Sequence, residues 1–343
     1  MTTLRGPART GNRTAAFTLV ALAPLIAELA FGSTPLRLAW LVLLWLPIYG
    51  AGILLVRESI RRTGRGWPSI VLLGVVYELA EDGIGLQALS SPHLYGAADW
   101  GARIFGLNLP YWEANVLYHV IFSAVIPILL ADLLFPSHRD VPYLKKTGLV
   151  ITALVAVFGV WVLRVSVPPS QDPGYAAPLP VVLGCLVVMS VLTVIALAVL
   201  PARGPTARTQ NRVPPLWGLC VLGAVGATLL LALTFPFGGA HQPAFTHGWW
   251  VLVPMSAAAA LALVAYRLIR RWARSTTWTS SHALALAGGA LVAHSLAGTT
   301  NSSTTFDRVG LIVIAALTAA LSLRLGHQLR HPAGMETDPA RSN

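Results

Sequence analysis

Lysine is almost missing from this sequence: only Lys145 and Lys146 occur among 343 residues, so arginine supplies nearly all of the 24 basic side chains. Acids are scarce as well, at 13, and charged residues of both signs make up 11%. A soluble domain of this length needs a largely polar exterior, and so few charges cannot provide one. Cysteine is limited to Cys185 and Cys220, both inside apolar runs, which excludes a disulfide framework and any Cys-x-x-Cys metal site. Both read as core packing.

What is abundant is apolar surface. Hydrophobic residues make up 55% of the chain, and the mean hydropathy is +0.67. Stretches long enough to span a bilayer, about 17–25 residues, recur at 14–31, 35–56, 68–88, 113–135, 147–166, 179–200, 216–235, 249–269, 281–298 and 309–326. The expected fold is therefore an all-α polytopic membrane helix bundle of about ten transmembrane helices. The first span carries Glu28 and runs into Gly-Ser-Thr-Pro, which does not match a cleavable signal peptide.

Ten spans divide the connecting segments between two sides. One side collects 20 of the 24 Lys and Arg residues, and the other only Arg37, Arg103, Arg164 and Arg308. Basic residues stay with the cytoplasmic loops, so both termini are expected in the cytoplasm of a bacterial plasma (inner) membrane. The net charge of +11 is then topological and calls for no nucleic acid. Arg57–Arg65 and Arg267–Arg274 should instead favour anionic lipid headgroups. Trp67, Tyr111, Trp112, Trp249 and Trp250 fall at span ends, as an aromatic belt requires.

The expected organisation is a basic tail (1–13), a four-helix unit (14–135), a six-helix bundle (147–326) and a disordered polar tail (327–343). Ala285, Gly288, Gly289 and Ala293 put small residues on one face of the ninth span, suited to close helix packing.

Charged groups at membrane depth are costly and mark functional sites by default. Glu28, Glu78, Glu81, Asp82, Glu113 and Asp132 all lie in the first four spans, and no acid lies at depth beyond them. Glu78, Glu81, Asp82 and Gly85 stand at i, i+3, i+4 and i+7, one helical face. Three carboxylates so close cannot all stay ionised in low dielectric, so one must carry a proton or share a cation. On the fourth span, Asn115, His119 and Ser123 form a polar stripe at spacing four. Glu81 lies ~10 Å and His119 ~9 Å from the same bilayer surface, with Glu28 nearer still. Glu28, Glu78, Glu81, Asp82 and His119 thus form the candidate catalytic cluster. Glu81 and His119 are also candidate ligands for a divalent metal.

Glu58, beside Arg57 and four residues before Arg62, reads as a surface ion pair. Asp132 reads as a cytoplasmic cap or interfacial pair, the alternative being a role in the site. His241, His247 and His294 read as loop polarity, the alternative being that they extend the site outward or bind metal.

The Glu81-Asp82 pair followed by His119 on the next span resembles the CPBP/Abi-type glutamate-dependent intramembrane proteases, whose motif is EExxxR with later histidines. That resemblance implies activation of a water for peptide hydrolysis, with Glu81-Asp82 in the paired position. Leu86 stands where the motif has Arg, Asn115 where it has Phe, and Ser123 where Asn or Asp is usual. The stretch Arg62-Thr63-Gly64-Arg65-Gly66-Trp67-Pro68 looks like uncharacterised bacterial membrane proteins.

Three readings stay open. One is a membrane-embedded enzyme, hydrolase- or protease-like or isoprenoid/lipid-processing, acting on a hydrophobic or membrane-resident substrate. In it Glu81 is general base or acid, His119 its partner and Asp82 tunes Glu81. The second is a proton- or cation-coupled transporter, and the third a buried polar network that only pins helices together.

Overall fold

The computed structural model describes residues 12–204, 208–235 and 248–330. Helices occupy all ten predicted segments. They are α1 (Arg13–Pro24, continuing as Leu25–Leu29), α2 (Leu36–Arg62), α3 (Trp67–Glu78, continuing as Leu79–Gly85), α4 (Leu109–Leu134) and α5 (Lys146–Gln171). There follow α6 (Leu179–Val199), α7 (Leu216–Thr234), α8 (Gly248–Ala273), α9 (Ser280–Asn301) and α10 (Thr305–Arg330). Eight of these are long and apolar enough to cross a membrane. The other two are α1, which is short, and α3, which carries three carboxylates. The chain is a helical membrane bundle.

The helix starts follow from the sequence. Asn12 caps α1 by accepting the Ala15 N–H (3.0 Å), and Asn108 caps α4 by accepting the Tyr111 N–H (3.1 Å). Pro68 and Pro110 occupy first turns, where their missing N–H costs nothing. Between α3 and α4 a hairpin pairs β1 (Arg103–Ile104) with β2 (Leu107–Asn108). Phe105 and Gly106 turn it at φ 52° and 83°, the positive angles such two-residue turns demand. This segment is fastened to the α5–α6 connection. Asp172 accepts from Ser91 Oγ (2.6 Å), and Gln87 Oε1 accepts the Ala177 N–H (2.9 Å). The Ser91 hydrogen bond first, then His93, holds the Asp172 carboxyl below the usual carboxylate range.

Burial is concentrated in the first four helices. Two thirds of the apolar window of α4 is buried, against 6% for α8, and among the later helices only α9 buries as much as half, so the others turn much of their apolar surface outward, as lipid allows. The small-residue stripe on α9 serves two neighbours. A Cβ on Gly289 would meet the Cys220 carbonyl oxygen of α7 at 1.9 Å, and one on Gly288 would meet Ser322 Oγ of α10 at 3.0 Å. Gly223 of α7 answers Gly289, with the Leu286 oxygen 2.0 Å from its would-be Cβ. Backbone lies directly on backbone here.

At the basic end of α2 the expectation for Glu58 fails in part. Arg62 does approach it (3.6 Å), but Glu58 is wholly buried. The segment after α4 folds over it, and its carboxylate accepts the N–H groups of Tyr143 (2.6 Å) and Leu144 (3.1 Å). Arg57, also wholly buried, gives Nε and NH2 to Asp132 (3.1 and 3.0 Å), NH1 to Glu58 (3.4 Å), and further contacts to the carbonyls of His138, Arg139 and Val141. The guanidinium lies 3.3 Å over the Tyr143 ring. Arg61 NH2 takes the second Asp132 oxygen (2.5 Å). Asp132 is thus the partner of two arginines at once.

Candidate functional site

Each of the four helices that meet at the site leaves α-helical geometry there. The widened π segments are Leu25–Leu29 with Glu28, Leu46–Ala51 with Tyr49, Leu79–Gly85 with Glu81 and Asp82, and His119–Val125 with His119 and Ser123. Such segments are rare and recur at functional sites. Proline supplies the cause on three helices. Pro24 precedes the first segment, Pro47 lies within the second and Pro127 follows the last, each lacking the N–H that a regular turn would use. On α3 Gly83 removes a side chain where Cys185 Sγ packs, 2.9 Å from a would-be Cβ.

His119 is the centre. Its Nδ1 lies 3.0 Å from Ser123 Oγ and 3.5 Å from Glu81 Oε2, and its Nε2 lies 4.0 Å from Asp82 Oδ2. The ring is packed by Tyr118 edge-on (5.4 Å between centroids), Tyr77 (5.9 Å) and Tyr49 (6.0 Å). Glu28 joins through Tyr49, whose hydroxyl donates to Glu28 Oε1 (2.7 Å) and also faces Glu81. Thr34 Oγ1 donates to the other Glu28 oxygen (2.6 Å) and is itself held by Trp45 Nε1 (3.1 Å). Glu81, Asp82 and His119 are at most 4% exposed.

Glu28, Glu81, Asp82, His119 and Ser123 therefore converge as their spacing and depth imply. Two expected members sit elsewhere. Asn115 returns its amide to the Tyr111 carbonyl of its own helix (2.9 Å). Glu78 turns to Trp112, accepting from its Nε1 (3.2 Å). The shared face of Glu78, Glu81 and Asp82 assumed a regular helix, and the π segment begins immediately after Glu78.

The carboxylates are short of donors. Glu81 Oε2, Asp82 Oδ2 and Glu78 Oε1 are buried and accept no hydrogen bond, an expensive state unless a proton, water or cation completes it. Among the described residues no three His, Cys, Asp or Glu side chains are placed to hold a metal ion. Glu81 and His119 thus find no third ligand of these types.

His294 belongs beside the site and not to loop polarity. His294 of α9 is wholly buried and stacked between Phe122 (4.2 Å) and Phe31 (4.9 Å). Its Nε2 lies 3.1 Å from the Tyr118 hydroxyl. That hydroxyl spends its proton on the Ala27 carbonyl (2.5 Å), so His294 Nε2 is the donor and Nδ1 is left without a partner. The available signal was its place in an apolar helix one turn before Gly298, whose would-be Cβ meets the Phe31 carbonyl at 2.1 Å. His241 and His247 lie outside the described residues.

A family profile covers residues 17–336. The chain belongs to an uncharacterized membrane protein family. No curated protein and no solved structure matches. Membership lends no support to the protease resemblance, and Leu86, in place of its arginine, is buried and offers no charge.

Proposed function

We propose that this family member is a membrane-embedded acid–base enzyme, a hydrolase acting on a membrane-resident substrate, with its site in the outer half of the bilayer. The observation behind this reading is the His119 ring seated between two carboxylates, with Glu81 and Asp82 each turning toward it an oxygen that accepts no hydrogen bond. In the reaction Glu81 takes the proton of a water as its oxygen bonds the substrate carbonyl carbon. That proton passes from Glu81 to His119, 3.5 Å away, and His119 delivers it to the leaving group as the bond between that group and the carbonyl carbon breaks, while Asp82 sets the charge both feel. Tyr49 and Glu28 hold one wall in place. The test is incorporation of heavy oxygen. Purified protein in vesicles of the host's own lipids and membrane peptides, in heavy-oxygen water, should release labelled carboxyl products. Neither His119→Ala nor Glu81→Gln should do so. Equal labelling from all three proteins would defeat the proposal.

A second reading, proton- or cation-coupled carriage, is favoured by how completely the site is enclosed, since Glu81 and Asp82 are each only 2% exposed. It expects proton movement into dye-loaded liposomes that stops with Glu81→Gln, and no labelled product.

The arrangement assumed is both termini in the cytoplasm of a bacterial inner membrane, resting on the uneven distribution of basic residues. Reporter fusions at Asp140 and Trp272 should read as cytoplasmic, and those at Tyr95 and Asp172 as external. An external signal at either of the first two would overturn it.

A further inference from the structure

We propose that the basic end of α8 holds the phosphate headgroup of an anionic membrane lipid. A cavity of about 560 Å³ lies there, within the size range of ligand sites. Arg267, Arg270, Arg271 and Arg274 line one wall, and their spacing of three, four and seven puts them on one helical face. Leu263 and Tyr266 continue that face toward the apolar part of the span. The opposite wall is Thr209 and Asn211 from the segment before α7.

This wall is built rather than loosely apposed. The Thr209 N–H donates to the Arg274 carbonyl (3.0 Å), and the Thr276 N–H donates back to Thr209 (3.0 Å). Ser275 Oγ donates to the Asn211 carbonyl (2.6 Å). No carboxylate lines the cavity, so the charge of four guanidiniums is not neutralised within it. By contrast, Arg57 is paired with Asp132, Arg203 with Asp140 and Arg37 with Asp307. Four adjacent guanidiniums match oxyanions of the phosphate class, which each can grip through two N–H groups.

Position selects lipid over a soluble anion. Leu263 is 47% exposed and α8 buries only 6% of its apolar window in the bundle, so the cavity opens where an apolar span wall meets its arginine-rich end. A lipid can fill both parts, acyl chain on Leu263 and phosphate on the arginines. Four arginines suit a headgroup with two phosphates best.

Titration of the detergent-purified full chain with a fluorescent diphosphate-headgroup phospholipid, a zwitterionic phospholipid and inorganic pyrophosphate tests this. The anionic lipid should bind and the other two should not. Arg267→Gln with Arg270→Gln should weaken it about thirtyfold. Arg324→Gln with Arg330→Gln removes the same charge from exposed positions on α10 and should leave binding unchanged. Thr209→Ala with Asn211→Ala removes the Asn211 amide's hydrogen bonds to Thr209 Oγ1 (2.8 Å) and to the Arg271 carbonyl (3.4 Å) at no change in charge, and should also weaken it. Equal weakening by both arginine pairs, pyrophosphate binding as tight as lipid, or full binding by the cavity variants would each overturn the proposal.

Discussion

Replacing Asp132 with alanine should cost the folded protein about 3–5 kcal/mol, the range for removing one partner of a buried ion pair. Arg57 is wholly buried and Arg61 6% exposed, and Asp132 is the carboxylate that both share, at 3.0 and 2.5 Å. Without it Arg57 keeps Glu58, more distant at 3.4 Å, while Arg61, whose Nε and NH1 already lack partners, loses its remaining hydrogen bond. The loss is one of uncompensated charge and not of packing. Arg61→Ala, which removes the stranded charge, should therefore rescue part of the damage when combined with Asp132→Ala. Asp140→Ala, at an exposed pair with Arg139 and Arg203, should cost no more than about 1 kcal/mol. Thermal unfolding in detergent measures all three variants beside the parent. A midpoint for Asp132→Ala equal to that of Asp140→Ala would mean that the buried network does not hold α2 to α4.

The second large effect is steric, and its sign depends on position within one packed helix pair. Gly289→Ala should destabilise by about 1–3 kcal/mol, the cost of overpacking, because its methyl would fall 1.9 Å from the Cys220 carbonyl oxygen and only backbone movement can relieve that. Moving α9 also draws His294 from between Phe31 and Phe122. Gly226→Ala on α7 meets nothing within 4 Å and should be neutral or stabilising by up to about 1 kcal/mol through helix propensity. Unfolding midpoints of the two variants should fall on opposite sides of the parent, or at least be clearly separated. Two midpoints that coincide would contradict the contact between α7 and α9.

Much of this bundle was readable as sequence because lipid imposes a simple grammar of apolar length and basic flanks. All ten predicted segments are helical, and the depth argument brings Glu81, Asp82 and His119 together as the structure does. Helical periodicity orders side chains within one helix but is silent on which helices touch. Tyr49 and Thr34 were for that reason invisible as partners of Glu28, and His294, from α9, as a neighbour of Tyr118. A regular repeat also cannot foresee a π segment, and Glu78 left the expected face for Trp112 where α3 widens. The pair of Glu58 with Arg62 is legible in the spacing, but its burial is not, because nothing in its own helix shows that residues 141–144 fold back over it.

The central claim is that the carboxylate–histidine cluster performs chemistry rather than fastening helices, and Glu81→Gln tests it most directly. The amide keeps the size and hydrogen-bonding capacity of the carboxyl group and removes one buried charge from a site already short of donors. It cannot take a proton. Thermal unfolding in detergent, read beside growth complementation of a strain lacking the protein, should show a midpoint at or above that of the parent together with loss of function. A variant that melts well below the parent, or one that complements fully, would show instead that Glu81 serves only to hold the bundle together.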